Sequence, residues 1–548
     1  MKQLYKDLSP DKTMDILNLF FSNLELELKE IQTNSGNISY SHSLLLKNIG
    51  FFSNGKGCSE VYSKTSAIAE LYERILNLSF IRFDSFSNDI LKTQKKFFKL
   101  NYKTISKNIE TFLKMENLNN ISILKKKLIS INILLEKLYN IKNNYFFEEN
   151  NKIFERESFC IKFDGKKDLY LPVIISDIFL GSNGMSAGNT YEEAFVQSYS
   201  EILERYIIRI INSQKIDIDL VDKKTINKYS NVKNMINKLI KESNFEIKIF
   251  TFERLVKFPV ICLLLIDKNK NRIAFKFGAH SSEEYAIERC ITELLQGTEL
   301  YDDINWKYID DCINSENGES YKIFLNGKGL ISNIGFRNLM NCKTTFYTKC
   351  SFKNNVEAYN YINSIEKEIY VFVASNTPLT AIQLYIPQKS IIHNIDMVYL
   401  KDLLNNIKQQ FLLFRILYKL KENSKINSQI FYNHNKKNIN KSVSDFIVTV
   451  CPIQNQYLSK IKILDIFLSI GLSNFQKENL DNRYFSFLSE FLKLGNITKE
   501  EKLKYLKTHK FINNTNNLSY CKKCKYYSTT KCILNCKKKL TKDLFKAY

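Results

Sequence analysis

The chain has 548 residues, of which 44% are hydrophobic and 25% are charged, and its formal net charge is +23. This length exceeds one core of ordinary size, so two or three domains are expected. No apolar run approaches the roughly 20 residues that a membrane helix needs, so no membrane-spanning helix is expected. The start, MKQLYKDLSPDK, has no apolar region typical of a signal peptide, so a cytoplasmic location is expected.

The positive charge has two interpretations. A basic protein can bind nucleic acid or the ribosome. However, the chain is rich in Lys, Asn and Ile, and its lysines are scattered rather than gathered into one stripe. Compositional bias is therefore the preferred explanation, and we do not expect direct binding to nucleic acid.

The hydrophobic pattern divides the chain into segments of different character. Residues 1–84 predict a helix, a strand pair and a second helix, and residues 85–150, rich in Lys and Asn, predict a helical insertion. Strand-like runs alternate with amphipathic helices over 151–395, which predicts an α+β domain across 1–395 with β-sheets and packed helices in repeated units. Helical periodicity over 396–512 predicts an all-helical C-terminal domain suited to docking or scaffolding.

The remaining segment, 513–548, is a basic tail that contains four clustered cysteines. They follow the pattern C-x₂-C-x₇-C-x₃-C at Cys521, Cys524, Cys532 and Cys536. Four thiolates suit tetrahedral Zn²⁺ or an iron–sulfur cluster. Structural zinc is the preferred interpretation, and an iron–sulfur cluster or reduced thiols remain open.

A segment within the first domain occurs three times. The copies cover residues 56–74, 187–205 and 279–297. In the first two, a glycine is followed thirteen residues later by Glu-x-x-Glu-Arg, and the third keeps only the first glutamate of this pattern. The glutamates are Glu70, Glu73, Glu201, Glu204 and Glu293, and the associated arginines are Arg74, Arg205 and Arg289.

Each copy predicts an amphipathic helix with the glutamates on its polar face. Residues at i and i+3 are neighbours on a helix, so paired glutamates repel each other unless a cation lies between them. Mg²⁺ prefers hard oxygen ligands and is often shared with phosphates. The five glutamates therefore predict a magnesium cluster, with the arginines reaching phosphate oxygens. The alternative is a solvated helix face repeated by duplication.

The segment from Gly50 to Lys56 resembles the opening of a P-loop. Residue 57 is glycine, so the hydroxyl that would hold Mg²⁺ is missing, and the predicted helix begins later. A P-loop is therefore not expected.

Several motifs resemble those of the YcaO family. The resemblance is carried by FSNGKG (52–57), SNGMSAGNT (182–190), EILERY (201–206) and FGAH…ERCITELLQG (277–297), and it extends over about 1–395. It implies ATP- and Mg²⁺-dependent activation of a peptide backbone amide. In this chemistry a nucleophile adds to the amide carbonyl, and the resulting oxyanion takes a phosphoryl group from ATP.

The resemblance also implies roles for individual residues. Glu70, Glu73, Glu201, Glu204 and Glu293 would form the magnesium cluster, and Glu204, Arg205 and Arg289 would be catalytic. The nucleotide would contact Lys6, Thr13, Ser66, Arg74, Ser186, Asn189, Glu193, Gln197, Arg205 and Arg289.

Two motifs, SNGMSAGNT and TELLQG, are similar to those of family members that assist β-methylthiolation of ribosomal protein S12. This implies S12 and its methylthiotransferase as partners, and the family implies a homodimer. Two alternatives stay open: formation of a thioamide or azoline on another peptide, or a non-catalytic nucleotide-binding scaffold. The ending KDLFKAY lacks the Pro-rich tail of azoline-forming members, which disfavours that product.

Overall fold

The computed structural model describes most of the first 391 residues. It covers 6–23, 28–35, 38–46, 51–77, 97–147, 157–243, 245–296, 304–315, 331–342, 352–376 and 378–391, together with single residues between 298 and 404. The helical domain predicted over 396–512 lies almost wholly outside the described residues. The tail with Cys521, Cys524, Cys532 and Cys536 lies outside them entirely.

The chain begins with a helix and a three-stranded antiparallel sheet. The elements are α1 (Pro10–Asn23), β1 (Leu28–Ser35), β2 (Ser39–Leu46), β3 (Phe51–Gly57) and α2 (Glu60–Leu76). The strand order is β1-β2-β3. Residues 51–56 of the segment that resembles the opening of a P-loop lie in strand β3, which pairs with β2.

The segment predicted as a helical insertion contains two helices and also a strand. Its described elements are β4 (Phe97–Asn101), α3 (Tyr102–Met115) and α4 (Ile121–Phe147). Strand β4 pairs with β5 (Glu157–Phe163), which pairs with β6 (Leu169–Pro172). The sequence analysis did not predict β4, because this strand forms by pairing with the distant β5 rather than from a local preference.

The middle of the chain contains a five-stranded antiparallel sheet with the order β12-β11-β10-β9-β8. The chain reaches it through α5 (Val173–Phe179), β7 (Met185–Gly188) and α6 (Tyr191–Ser213). The sheet and its connections comprise β8 (Asp219–Leu220), α7 (Lys223–Lys228), α8 (Ser230–Ser243), β9 (Glu246–Thr251), α9 (Glu253–Val256), β10 (Val260–Asp267), β11 (Arg272–Ala279), α10 (Glu283–Leu294) and β12 (Lys307–Tyr308).

The last described elements return to β7. They are α11 (Ile309–Asn314), α12 (Asn333–Met340), α13 (Asn355–Ile365), β13 (Tyr370–Ser375) and β14 (Thr380–Tyr385). Strand β14 lies between β13 and β7. The predicted α+β class is confirmed.

Strand β10 lies at the centre of the five-stranded sheet, and all eight of its residues are buried. Its alternate side chains enter two different hydrophobic cores. Cys262 and Leu264 pack with the apolar face of α6, whereas Leu263 and Leu265 pack with that of α10. Helices α6 and α10 therefore cover opposite faces of one sheet. The seven cysteines in the described residues form no disulfide.

The three repeated segments share one construction, a strand that leads into a long helix. These pairs are β3–α2, β7–α6 and β11–α10. The apolar stripes predicted for the helices are buried: Ile68, Leu71, Tyr72 and Ile75 on α2, Phe195, Tyr199, Ile202 and Leu203 on α6, and Ile287, Ile291 and Leu294 on α10. Their burial leaves the opposite face of each helix free to carry polar groups. No described helix is long and apolar enough to span a membrane.

A glycine allows each strand to lie directly against its helix. A Cβ atom at Gly188 would lie 2.5 Å from the Ala194 backbone nitrogen, and one at Gly278 would lie 2.7 Å from the Ala286 carbonyl oxygen. A Cβ atom at Gly55 would overlap the backbone of α2. Real Cβ atoms do not approach this closely, so the strand–helix spacing in each repeat requires glycine.

The substitution Gly55→Ala should destabilise the protein, because β3 and α2 must move apart to admit one methyl group. We expect a loss of about 1–3 kcal/mol in the free energy of unfolding, measured by chemical denaturation. Lys12→Ala on the exposed side of α1 is the control and should change stability by no more than about 0.5 kcal/mol. Equal stability of Gly55→Ala and the wild type would contradict the close packing.

Candidate active site

The polar faces of α2, α6 and α10 meet at one cavity of about 760 Å³. This volume lies within the range of roughly 300–1,000 Å³ typical of ligand pockets. Most of the residues predicted from the sequence line it: Lys6, Thr13, Ser66, Glu70, Glu73, Arg74, Asn189, Glu193, Gln197, Glu201, Glu204, Arg205, Arg289 and Glu293. The structure therefore brings together residues that are far apart in the chain.

The three helices begin in the same way, so the first glutamate of each lies at the same distance from the start of its helix. The side chains of Ser59, Thr190 and Ser282 accept hydrogen bonds from backbone N–H groups in the first turns of α2, α6 and α10. Such caps satisfy donors that a helix leaves unpaired and fix its first residue. Glu70, Glu201 and Glu293 each follow their cap by eleven residues, about three turns along the helix.

Each of these glutamates pairs with a basic side chain. Within α6, Arg205 Nη2 lies 2.9 Å from Glu201 Oε1, and in α2 Arg74 pairs with Glu70 in the same i,i+4 arrangement. In α10, Arg289 Nη2 lies 3.8 Å from Glu293 Oε1. Arg289 also donates to Gln197 Oε1 over 3.0 Å, which links α10 to α6.

The charges of the carboxylates are poorly solvated. Burial raises the pKa of Glu73 well above its usual value, and repulsion from Glu201 and Glu70 raises it further. Burial and the neighbouring Glu293 raise the pKa of Glu204 to about 7. In Glu201, burial raises the pKa although Arg205 and Arg289 oppose the shift. Glu73, Glu201 and Glu204 are thus less stable as anions in this cavity than in water, which favours a bound cation beside them.

The side chains do not form a compact metal site as they stand. Among the described residues, no group of three or more His, Cys, Asp and Glu side chains is arranged to hold a metal ion. Glu70, Glu201 and Glu293 each pair with an arginine of their own helix, Arg74, Arg205 and Arg289. The prediction of a magnesium cluster therefore stays a prediction.

The N-terminal segment closes one end of the cavity against the start of α6. Lys6 Nζ lies 3.0 Å from Glu193 Oε1, and the Asp7 backbone nitrogen donates to Glu193 Oε2 over 3.0 Å. Thr13 Oγ1 donates to Asn189 Oδ1 over 2.8 Å. Although burial opposes it, Lys6 lowers the pKa of Glu193, which keeps this buried carboxylate charged.

Ser186 differs from the other predicted nucleotide contacts. It is fully buried on β7 and is absent from the residues that line the cavity. Its hydroxyl donates to the Ala194 carbonyl oxygen over 2.6 Å. Ser186 therefore fastens β7 to the first turn of α6, the helix that carries Glu193 and Gln197.

The cavity includes residues that the sequence analysis did not single out. Tyr285, Glu288 and Thr292 line it on α10, at spacings of three and four from one another and close to Arg289. Helical spacing from the predicted residues would have identified them. Lys56, Lys276 and Lys307 also line the cavity, but they come from strands, to which helical periodicity does not apply.

The substitution Glu73→Gln should stabilise the metal-free protein, because it removes a partly buried charge that Glu201 and Glu70 repel. We expect a gain of about 1 kcal/mol in the free energy of unfolding at pH 8. The raised pKa of Glu73 means that the wild type loses stability as the pH rises from its ordinary pKa of 4.5 through the folded value. The gain should therefore vanish near pH 4, where Glu73 is protonated in both the folded and the unfolded protein.

Denaturation at the two pH values measures this difference. Glu60→Gln, on the exposed first turn of α2, is the control and should lower stability slightly at pH 8, because a negative charge there favours the helix. A loss of stability in Glu73→Gln at pH 8 would show that Glu73 is well solvated or paired.

Comparison with known proteins identifies a family. The model of the family described as "YcaO cyclodehydratase, ATP- and Mg²⁺-binding" matches residues 54–328, just over half of the chain. An uncharacterized protein of Haemophilus influenzae is 34% identical over 241 residues, which are 42% of this chain and 40% of that protein. The Escherichia coli ribosomal protein S12 methylthiotransferase accessory factor YcaO is 36% identical over 169 residues, covering 30% of this chain and 28% of that protein. The chain thus matches less than half of the length of either relative.

Solved structures are more distant. YcaO from Methanopyrus kandleri bound with AMPPCP and Mg²⁺ is 11% identical, with a TM-score of 0.39, and the match covers 71% of this chain and 93% of that one. A heterocyclase in complex with substrate and cofactor is 15% identical, with a TM-score of 0.43, over 71% of this chain and 53% of that one. The match to the family model covers all three repeated helices, and on that match the chain belongs to the YcaO family.

Proposed function

We propose that this protein is an ATP- and Mg²⁺-dependent accessory factor in β-methylthiolation of ribosomal protein S12, and that it activates a peptide amide. The observation that carries the proposal is that three helices present five glutamates and three arginines to one shared cavity. The description of the family as ATP- and Mg²⁺-binding supports the cofactors. The name of the Escherichia coli relative supports S12 and its methylthiotransferase as partners.

The chemistry of the donor set fits magnesium. Glu70, Glu73, Glu201, Glu204 and Glu293 supply hard carboxylate oxygens, the ligand type that Mg²⁺ prefers. Burial and mutual repulsion raise the pKa values of Glu73, Glu201 and Glu204, so a divalent cation would relieve an existing excess of negative charge. When bound, Mg²⁺ offsets the charge of phosphate oxygens.

The arginines would bind the phosphates. Arg205 and Arg289 line the cavity beside the glutamates, and Arg74 lies on α2. A guanidinium presents donors in a rigid fork that matches phosphate oxygens. Each arginine now pairs with a glutamate of its own helix, and it would exchange this partner for a phosphate once a cation neutralises the carboxylate.

The remaining nucleotide contacts lie on either side of the arginines. Lys6, Thr13, Asn189 and Glu193 form a connected group at the end closed by the N-terminal segment. Gln197 and Ser66 lie between this group and the glutamates on α6 and α2. We assign the nucleoside to the group of Lys6, Thr13, Asn189 and Glu193, and the phosphates to Gln197 and Ser66. Ser186 supports α6 through its hydrogen bond to the Ala194 carbonyl oxygen.

The proposed reaction is phosphoryl transfer to a peptide amide. A nucleophile adds to the amide carbonyl, the resulting oxyanion takes the terminal phosphoryl group of ATP, and ADP leaves. The phosphate is expelled when the modified amide forms. Glu204, Arg205 and Arg289 would hold the reactants in line and stabilise the developing charge, because catalysis of this transfer depends mainly on positioning and electrostatics.

A second candidate is the same chemistry on a different peptide. The family description names a cyclodehydratase, an activity that closes a ring from a peptide amide. The same cavity would serve this reaction, so the identity of the peptide separates the two functions. A nucleotide-binding scaffold without catalysis is separated from both by the absence of ATP turnover.

The double variant Glu204→Ala with Arg205→Ala should lose nucleotide binding and S12 modification together. Removing a carboxylate and a phosphate donor should weaken Mg²⁺-dependent ATP binding about 100-fold or more, measured by calorimetry. In cells lacking the gene, mass spectrometry of S12 should show no β-methylthiolation, and the wild-type gene should restore it where the double variant does not.

The matched control is Glu110→Ala with Lys114→Ala, which removes an exposed acid–base pair on α3 outside the cavity. It should bind ATP and restore S12 modification like the wild type. Full S12 modification in cells lacking the gene would contradict the S12 function. ATP binding by wild type that is unaffected in the double variant would contradict the location of the site.

A further inference from the structure

Lys56 connects the first repeat to the third inside the cavity. It lies on β3, just before α2, yet its ammonium group pairs with Glu293 Oε1 on α10. Arg289 Nη2 lies 3.8 Å from the same oxygen. One carboxylate oxygen thus has two cationic neighbours, one from its own helix and one from a strand more than 200 residues earlier in the chain.

The charge of Lys56 acts on both acidic residues at this end of the cavity. Burial would raise the pKa of Glu293, but Lys56 and then Arg289 and Lys276 lower it. Lys56 also opposes the rise in the pKa of Glu204 that burial and Glu293 cause. Lys56 is 25% exposed and Glu293 is 15% exposed, so water screens this pair only in part.

A metal bound by Glu293 would bring a second positive charge close to the Lys56 ammonium group. Mg²⁺ binds a carboxylate oxygen at about 2.0–2.1 Å, closer than an ammonium group does. Two cations on one oxygen repel each other, so a metal on this oxygen binds more favourably once Lys56 withdraws. In the absence of nucleotide, the withdrawn ammonium would lose its anionic partner.

We propose that Lys56 is a built-in counter-cation, which occupies the Glu293 carboxylate in the metal-free protein and yields it to Mg²⁺ when nucleotide phosphates arrive. The inference rests on the proposed function, because it takes Glu293 as a metal ligand. In this scheme Lys56 is a positioning residue. Its ammonium group moves from the Glu293 carboxylate to a phosphate oxygen, so it has an anionic partner both before and after the nucleotide binds. Its role is to make metal binding depend on the nucleotide.

The consequence is a measurable coupling between the two ligands. Mg²⁺ alone must displace Lys56 without compensation, whereas Mg²⁺ with ATP provides Lys56 with a new partner. Each ligand therefore increases the affinity of the other by the same factor. Without the positive charge at residue 56, Mg²⁺ alone should bind more tightly and the coupling should shrink.

The test compares Lys56→Met with the wild type by calorimetry, titrating magnesium chloride first alone and then with a non-hydrolysable ATP analogue. We expect Lys56→Met to bind Mg²⁺ alone about tenfold more tightly, and the coupling factor to fall by a similar amount. Lys56→Arg keeps the charge and should retain weak binding of Mg²⁺ alone. Lys64→Met is the matched control, because Lys64 pairs with Glu30 outside the cavity and its loss should change neither value.

Two results would overturn the inference while the proposed function stands. The first is that Lys56→Met binds Mg²⁺ alone no more tightly than the wild type does, and the second is that it only loses affinity for the ATP analogue, as an ordinary phosphate contact would. If the wild type binds neither Mg²⁺ nor the analogue, the proposed function fails together with the inference. Thermal melting of each variant checks folding, and Lys56→Gln provides the same comparison if Lys56→Met does not fold.

Discussion

The repulsion among five glutamates in one cavity is the constraint on which the rest of the site depends. These carboxylates lie on α2, α6 and α10, partly shielded from water, and basic side chains offset their charge. The protein supplies the cation of each pair: Arg74 and Arg205 pair with glutamates of their own helices, and Lys56 pairs with Glu293. Binding of a metal and phosphates would therefore exchange these charge pairs for others, because cations and anions can exchange partners without leaving charge unpaired.

The backbone supports this arrangement by repeating one unit. In each copy a strand with a closely packed glycine leads into a helix capped by Ser or Thr, and the first glutamate follows the cap by eleven residues. The apolar side of each helix is buried in a core, so its polar side faces the cavity. Helices α6 and α10 cover opposite faces of the sheet around β10. Their polar faces are joined by the hydrogen bond from Arg289 to Gln197.

Much of this site could be predicted from the sequence, because helical periodicity determines which residues share a face. The glutamates, arginines and Gln197 were found in this way and line one cavity. Features that depend on contacts between different secondary-structure elements were missed. Strand β4 forms because β5 pairs with it, Ser186 turns inward to bond Ala194, and Lys56 reaches across to α10. Spacing along the chain carries no information about such contacts.

The central claim is that the glutamates of the three repeated helices together hold the metal that binds ATP. Crystals grown with Mn²⁺ and a non-hydrolysable ATP analogue would test it most directly, through anomalous scattering from the manganese. The account predicts anomalous peaks between the carboxylates of α2, α6 and α10, among them Glu73, Glu204 and Glu293, with nucleotide phosphates beside Arg205 and Arg289. A nucleotide bound without metal, or a metal bound away from these carboxylates, would contradict it.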